Sequence, residues 1–188
     1  MCNLYQLKKG ADEIRQLFAG LGVQLSFPEG VPNLEPKDIR ITDPAPIVRM
    51  GQAGPEMVIR RWSWPAPNGK PVFNMRSEGR KFSNRCLVLA DGFYEFSAPE
   101  DPKAKRKDKW LFTPVEGGLL GIAGVTRAVP EHGEAFSMLT AEPTPDVAPI
   151  HTRQVVLPRP DRWLAWLDPS TPVPEAEIWS RVGAERVG

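Results

Sequence analysis

The sequence predicts a mainly β protein with a few helices. Its 188 residues include 21 prolines and 16 glycines, and its apolar runs are short and interrupted. This pattern favours strands and turns over long helices. A chain of this length can bury most of its apolar surface around one core. We therefore expect a single domain over residues 1–188.

The clearest helix is predicted from about Asp12 to Gly20. Asp12 can cap its first turn, and a glycine at position 20 or 22 can end it. Between these limits, apolar side chains recur at helical spacing: Ile14, Leu17, Phe18 and Leu21. Two shorter helices are predicted near the end of the chain, each with a proline at an N-terminal position: Pro160–Leu167 and Pro174–Arg181.

Strands are predicted where β-branched and aromatic residues cluster between turn signals. These segments are Met57–Trp62, Cys86–Phe96 with a turn at Asp91-Gly92, Trp110–Val115, Leu119–Val125, Phe136–Thr140 and Gln154–Leu157. The segment Ser97–Asp108 is rich in lysine and has no apolar period, so it is predicted to be an exposed loop between strands.

The overall charge does not indicate a nucleic-acid-binding protein. Lysine and arginine number 24 against 23 acidic residues, a formal net charge of +1, so any basic surface must be local. No apolar stretch approaches the roughly 18 residues that span a bilayer, and the first residues lack the pattern of a signal peptide. We expect a cytoplasmic or otherwise intracellular monomer with no membrane partner.

The two cysteines, Cys2 and Cys86, lie far apart and form no Cys-x-x-Cys motif. This spacing argues against both a disulfide framework and a zinc site. The two histidines are also scattered, so no metal or other cofactor is expected.

Cys2 is the candidate nucleophile. Removal of Met1 would make it a 1,2-aminothiol, with an α-amine of reference pKa about 7.7–8.0 and a thiol of pKa about 8.5 on one residue. The amine can condense with an aldehyde to an imine, and the thiolate can close on the imine carbon to give a thiazolidine. A second residue is more often part of a frayed terminus, so this interpretation depends on the polar groups around it.

One polar segment, Phe73–Glu78, follows a predicted turn. Asn74 can position a sugar or an amine, and Arg76 can donate two parallel hydrogen bonds to a phosphate. The alternative is structural, with Asn74 closing a turn and Arg76 pairing with Glu78 on the surface.

Glu95 and His151 are candidates for proton transfer. Phe93, Tyr94 and Phe96 flank Glu95, and desolvation by such neighbours raises a carboxyl pKa toward the range of a general acid. The alternative is a glutamate that faces water on an edge strand. His151 precedes an apolar strand and titrates near neutrality, although a lone histidine is more often a structural hydrogen-bonding residue.

The segment Arg60–Pro65 interleaves arginines with two tryptophans. Such a cluster suits single-stranded nucleic acid, because bases stack on indoles and guanidinium groups neutralise phosphates. The alternative is a strand whose tryptophans lie in the core.

Taken in order, these residues resemble the SRAP (SOS response-associated peptidase) domain family. The resemblance covers essentially the whole chain, and its most specific part is the run Ala90-Asp91-Gly92-Phe93-Tyr94-Glu95. The other matching segments are Met1-Cys2, the Trp62 region, Asn74-Met75-Arg76-Ser77-Glu78, Arg85-Cys86-Leu87 and Ile150-His151-Thr152-Arg153.

The resemblance implies an α+β fold with a β-rich, barrel-like core and a chain start threaded into a cleft for single-stranded DNA. It implies abasic sites as the substrate and a covalent DNA–protein crosslink as the product. The catalytic residues that it implies are Cys2 as nucleophile, Asn74 for positioning, Glu95 for proton transfer and His151 for sugar ring opening. The implied DNA-binding residues are Arg61, Trp62, Arg76, Ser77 and Arg153.

The chain departs from the usual family pattern at several positions. Asn3-Leu4 stands where Gly-Arg is common, so a basic DNA contact near the chain start is absent. Trp62-Ser63-Trp64 stands where Trp-Gly-Leu is usual. None of these changes removes a group that performs the implied chemistry.

Two other functions stay open at this stage. One is a cysteine peptidase or autopeptidase in which Cys2 attacks a peptide bond with His151 as base. The other is a non-covalent module that holds single-stranded DNA with Arg61, Trp62 and Arg76 and makes no use of Cys2.

Overall fold

The computed structural model describes residues 1–188 and is built mainly from strands. The strands are β1 (Leu4–Leu7), β2 (Lys37–Arg40), β3 (Pro44–Gly51), β4 (Gly54–Trp62), β5 (Trp64–Pro65), β6 (Pro71–Val72), β7 (Asn74–Arg76), β8 (Arg85–Ala90), β9 (Gly92–Ser97), β10 (Asp108–Pro114), β11 (Leu120–Val129), β12 (Gly133–Ala141), β13 (Gln154–Val155) and β14 (Val182–Arg186). The α-helices are α1 (Ala11–Gly20) and α2 (Trp163–Leu167), with 3-10 turns at Pro160–Arg162 and Ala176–Ile178. No helix is long and apolar enough to span a bilayer.

Five strands close into a barrel in the order β11, β8, β3, β4 and β12, because β12 also pairs with β11. All of these pairings are antiparallel except that of β4 with β12. Beyond β4, the short strand β7 also runs parallel to β12. The expected fold class, a β-rich barrel-like core with a few helices, is confirmed.

A second sheet, in the order β14, β10, β9, β1 and β2, packs beside the barrel. Strand β1 lies between β2 and β9, with Tyr5 opposite both Ile39 and Phe93. Because β1 and β9 are antiparallel, the residues before β1 run toward the second half of β9. This pairing brings the start of the chain to Glu95.

One hydrophobic cluster of 39 buried residues joins the barrel to the second sheet and to α1 and α2. Tyr5 of the second sheet packs edge-on against Trp62 of the barrel at 5.2 Å between ring centroids. Trp62 is also stacked with Phe136 of β12 at 6.4 Å. On the outer side of β8, Trp166 of α2 donates its indole N–H to the Cys86 carbonyl at 2.8 Å.

The predicted strands lie where expected, with small changes of boundary, and the turn at Asp91 separates β8 from β9. Helix α1 matches its prediction, but its N-cap is Gly10 and Asp12 lies in the first turn. Acidic side chains in that turn interact favourably with the helix dipole. Strand β3 was not predicted, because Pro44 and Pro46 read as turn signals although both lie in the strand.

The predicted helix Pro174–Arg181 is wrong. Only Ala176–Ile178 forms a single 3-10 turn. The end of this turn and the residues after it form hydrogen bonds with the segment after β13. Arg159 N–H donates to the Ile178 carbonyl at 3.0 Å, and Ser180 N–H donates to the Leu157 carbonyl at 2.7 Å. These extended pairings replace the helical hydrogen bonds.

Close packing of α2 on the barrel is testable at Gly121 of β11. A Cβ at this position would lie 2.6 Å from Trp163 Cε2, so we expect Gly121→Ala to lower the free energy of unfolding by about 1–3 kcal/mol. The control is Gly20→Ala, where a Cβ meets no atom within 4 Å and where alanine should raise stability by up to about 1 kcal/mol. Urea unfolding measures both; equal effects would contradict the packing.

Candidate active site

The start of the chain lies against one carboxyl and one imidazole. The Met1 α-ammonium lies 3.2 Å from Glu95 Oε2 and 2.7 Å from His151 Nε2. Glu95 Oε2 and His151 Nε2 are 3.6 Å apart. The three groups come from the chain start, strand β9 and the loop between β12 and β13, so the fold brings together residues far apart in sequence.

Hydrogen bonds hold both the backbone carbonyl and the side chain of Cys2 next to these groups. Its carbonyl oxygen accepts a hydrogen bond from Asn74 Nδ2 at 2.7 Å, and its thiol donates to the Leu4 carbonyl at 3.5 Å. The residue is fully buried. Asn74 is positioned by β7, where it pairs with Met138 of β12. The four predicted catalytic residues, Cys2, Asn74, Glu95 and His151, therefore converge on the chain start.

Glu95 is a buried carboxyl with a raised pKa. Its side chain is 1% exposed, and this burial raises its pKa to about 7 although the neighbouring ammonium acts in the opposite direction. Its second oxygen, Oε1, is buried and has no hydrogen-bond partner. A carboxyl in this state exchanges protons readily at neutral pH.

The Cys2 thiol is kept in its neutral form. Burial raises its pKa well above the usual value, and the negative charge of Glu95 raises it further. Backbone hydrogen bonds at Leu4 and Tyr94 act in the opposite direction but are weaker. The thiol therefore needs a nearby base before it can attack, and the Glu95 carboxylate lies within electrostatic range.

His151 is kept neutral and oriented. Burial lowers its pKa, and the positive charges of the α-ammonium and of Lys107 lower it further. Its Nδ1 lies 2.9 Å from the Arg153 carbonyl oxygen. The Arg153 backbone nitrogen is 3.0 Å from the same Nδ1. These two contacts with the Arg153 backbone fix the orientation of the ring, so that Nε2 faces the ammonium and Glu95 Oε2. Nε2 is therefore the ring nitrogen placed to exchange a proton with the site.

Neighbouring residues fix the strands that carry these groups. Asp91 Oδ2 accepts the backbone N–H groups of Lys8 and Lys9 at 2.5 and 3.2 Å, which locks the end of β1 beside the start of β9. The loop that carries His151 is closed by buried Gln154, whose Oε1 accepts the Thr144 N–H at 2.8 Å. These contacts of Asp91 and Gln154 were not predicted, because nothing local in the sequence shows that their partners are distant backbone groups.

The expectation that Trp62 and Ser77 face DNA is wrong. Trp62 is fully buried and donates its indole N–H to the Phe73 carbonyl at 3.0 Å. Ser77 is also buried, and its hydroxyl donates to the Thr140 carbonyl at 3.0 Å. The first is part of the core, and the second holds the end of β7 against β12.

The three predicted arginines differ in their availability. Arg76 is exposed and forms no ion pair or side-chain hydrogen bond, and it lies on the same face of β7 as Asn74. Arg61 is half-buried, and its Nε has no partner. Arg153 donates to both carboxylate oxygens of Glu78, at 2.5 and 2.9 Å, and to the Thr140 carbonyl at 2.9 Å. Arg76 is therefore the free cation nearest to Asn74 in the sequence.

The site holds no arrangement typical of a metal centre, since no group of three or more His, Cys, Asp or Glu side chains could hold an ion. What it contains is a buried carboxyl, a neutral imidazole, a buried thiol and an amino group. These are the components of amine and thiol chemistry assisted by proton transfer.

The family model of the SOS response associated peptidase (SRAP) matches residues 1–185. The chain therefore belongs to the SRAP family. No curated protein matches it.

Three solved structures share the fold. A Bordetella bronchiseptica protein is 22% identical with a TM-score of 0.72, and the match covers 100% of both chains. A phage-related protein from the same organism is 19% identical with a TM-score of 0.72, over 99% of this chain and 94% of that one. A Bacteroides thetaiotaomicron protein is 15% identical with a TM-score of 0.74, over 100% of this chain and 92% of that one.

The burial of Glu95 predicts a pH dependence of stability. Its folded pKa, about 7, lies above the unfolded value of 4.5, so the protonated form is favoured in the folded state. The contribution of Glu95 to the free energy of unfolding is fully present below pH 4.5. It is lost as pH rises toward 7, by up to about 3 kcal/mol. Glu95→Gln removes this loss, so its stability relative to wild type should rise by about 2–3 kcal/mol between pH 5 and pH 8.

Urea unfolding at the two pH values measures this difference. The control is Glu185→Gln in β14, an exposed side chain with no ion pair, which should behave as wild type at both. A constant difference between Glu95→Gln and wild type would show that Glu95 titrates as an ordinary carboxyl.

Proposed function

We propose that this SRAP chain captures abasic sites in single-stranded DNA as a covalent crosslink through Cys2. The supporting observation is that the amino end of the chain lies between buried Glu95 and neutral His151, next to a buried thiol. Removal of Met1 transfers the role of terminal amine to Cys2. The residue then carries the two nucleophiles that an aldehyde needs to form a thiazolidine.

The first step opens the abasic sugar. Its closed form is a hemiacetal, and opening moves a proton from the C1′ hydroxyl to the ring oxygen while the C1′–O4′ bond breaks. His151 suits this transfer because its Nε2 faces the site and its Nδ1 is held by the Arg153 backbone. The product is the C1′ aldehyde.

The second step forms the imine. The Cys2 amine adds to C1′ and gives a carbinolamine, which loses its hydroxyl as water. Glu95, with a pKa of about 7, is protonated in a substantial fraction of molecules at neutral pH and can donate the proton that water needs to leave. An iminium and the Glu95 carboxylate remain.

The third step closes the ring. The Glu95 carboxylate takes the thiol proton of Cys2, and the sulfur adds to the iminium carbon. One aldehyde, one amine and one thiol have then given one thiazolidine and one water, and Glu95 is protonated again. Because the amine and thiol share a residue, ring closure needs no further diffusion or alignment. Closure also removes the imine, from which β-elimination would cut the DNA strand.

Binding of the DNA strand is assigned in part to Arg76. Its exposed guanidinium has no protein partner and lies on the face of β7 that carries Asn74. It can bind a phosphate next to the lesion with two hydrogen bonds. Asn74 positions the Cys2 backbone through its carbonyl, so it acts on the geometry of the nucleophile.

The geometry supports the peptidase alternative less well. A cysteine peptidase needs a thiol whose pKa is lowered by a nearby cation or histidine. Here burial and Glu95 raise the pKa of the Cys2 thiol, and His151 Nε2 faces the terminal amine at 2.7 Å. The non-covalent DNA-binding alternative gives no reason for a buried carboxyl and an imidazole around the chain start.

The proposal predicts a stable adduct that depends on the thiol. Wild-type protein mixed with a single-stranded oligonucleotide carrying one abasic site should give a band that survives heat and detergent. Its mass should equal protein without Met1 plus DNA minus one water. Cys2→Ala keeps a terminal amine but cannot close the ring, so its adduct should survive only after reduction with borohydride.

The control is the same oligonucleotide without the lesion, which should give no adduct with either protein. A stable wild-type adduct that still contains Met1, or an equally stable adduct of Cys2→Ala without reduction, would contradict the mechanism.

A further inference from the structure

We propose that the β9–β10 hairpin is a second DNA-binding surface of this site. In this proposal Trp110 stacks on a base that flanks the lesion, and Lys105, Arg106 and Lys107 bind phosphates of the same flank. The proposal rests on the proposed function and adds a surface to it, on the side of the site away from β7.

Strand pairing places Trp110 beside the catalytic carboxyl. Trp110 is directly opposite Glu95 in the antiparallel pair of β9 and β10, and opposite residues project from the same face of a sheet. Ser97, two residues after Glu95, lies on this face too, and its hydroxyl oxygen accepts the Trp110 indole N–H at 3.0 Å. Glu95 is 1% exposed, whereas Trp110 is only partly buried.

The indole is held in place and offers an aromatic surface. Since Ser97 already accepts its only N–H, Trp110 has no donor left for a base or phosphate. Trp110 packs against the hydrophobic core but keeps part of its surface exposed. A fixed, partly exposed indole at the strand position opposite Glu95 suits stacking, which any base can accept.

The loop between β9 and β10 carries cations that no carboxylate neutralises. Lys103, Lys105, Arg106 and Lys107 are exposed, and none forms an ion pair; the ion pairs of this region join Arg186 to Glu100 and to Asp108. The remaining acid, Asp101, accepts the Lys103 backbone N–H at 2.9 Å. The four cations of the loop therefore outnumber its one carboxylate without an ion pair, Asp101, and the loop carries an excess of positive charge.

The loop reaches the site. It begins directly after Ser97 and returns to β10 at Asp108, so its two ends lie beside Glu95 and Trp110. The positive charge of Lys107 contributes to the lowered pKa of His151, which agrees with a position within electrostatic range of the imidazole. Arg76 belongs to the barrel sheet and the hairpin to the second sheet. A strand bound at the site could thus contact both sheets, the barrel sheet through Arg76 and the second sheet through the hairpin.

The occupant that fits this surface is single-stranded DNA. Cations next to an aromatic platform match phosphates next to an accessible base, and bases in a duplex are not free to stack on a side chain. The formal net charge of the chain is only +1, so attraction to a polyanion must come from a local concentration of charge such as this loop.

Binding of an undamaged single-stranded oligonucleotide tests the cations separately from Cys2 chemistry. The variant is Lys105→Ser/Arg106→Ser/Lys107→Ser, measured by fluorescence anisotropy over a range of salt concentrations. The slope of log K against log salt is negative, and each lost phosphate contact should reduce its magnitude by about 0.7, hence by up to about 2 for three contacts.

A matched control removes the same charge elsewhere. Lys8→Ser/Lys37→Ser/Arg127→Ser also replaces two lysines and one arginine, all exposed and none in an ion pair. They lie directly after β1, at the start of β2 and in β11. It should keep the wild-type slope. An unchanged slope in the loop variant, or an equal fall in both variants, would overturn the assignment.

Trp110 is tested in the same assay. Trp110→Leu keeps an apolar side chain but has no π face, so affinity should fall about tenfold, while Trp110→Phe should lose less. Thermal unfolding checks that both variants are folded. Equal affinity of Trp110→Leu and wild type would remove the stacking role.

The binding assay separates this inference from the proposed function. The undamaged oligonucleotide carries no aldehyde, so its binding is measured independently of the crosslink, and a failed crosslink leaves the hairpin result intact. RNA of the same sequence and anionic phospholipid vesicles are the competing ligands. Binding of either through the loop, without binding of single-stranded DNA, would overturn the inference.

Discussion

The ion pair between the amino end of the chain and buried Glu95 is the constraint around which the site is organised. An isolated carboxylate in an apolar interior costs several kcal/mol, and the only cation within ion-pair distance of Glu95 Oε2, besides the imidazole, is the terminal ammonium. The backbone has to place that ammonium beside the buried carboxyl. The surrounding structure therefore fixes the path of the first few residues.

Three interactions along this path come from three different parts of the fold. Strand β1 is clamped between β2 and β9, Asp91 accepts the backbone N–H groups at its end, and Asn74 donates to the Cys2 carbonyl. The first two belong to the second sheet and the third to a strand attached to the barrel. The site thus exists only when the two sheets are packed together, and the contact of Tyr5 with Trp62 is part of that packing.

The sequence was sufficient for those parts of the site whose signal is local. Aromatic neighbours of Glu95 predicted its burial and raised pKa, and the turn at Asp91-Gly92 predicted the boundary of β9. The sequence was insufficient for side chains whose burial or position depends on strand register. Arginines around Trp62 suggest a nucleic-acid surface, but the barrel turns that indole inward to stack on Phe136. Trp110 shows the converse, since only its pairing with Glu95 places an unremarkable strand residue beside the reacting groups.

In the proposed reaction the ammonium of Cys2 takes the place of the Met1 ammonium beside Glu95, which connects processing with catalysis. A terminal ammonium lowers the pKa of Glu95, and burial raises it, so the carboxyl and the amine compete for one proton across a short distance. When the Cys2 amine loses its proton and becomes nucleophilic, Glu95 loses the charge that kept it ionised and can accept that proton. One transfer then yields both a free amine and a carboxylic acid. Those are the two species that imine formation needs. Because the pKa of the Cys2 thiol is raised, the thiol stays protonated and does not attack before the iminium has formed.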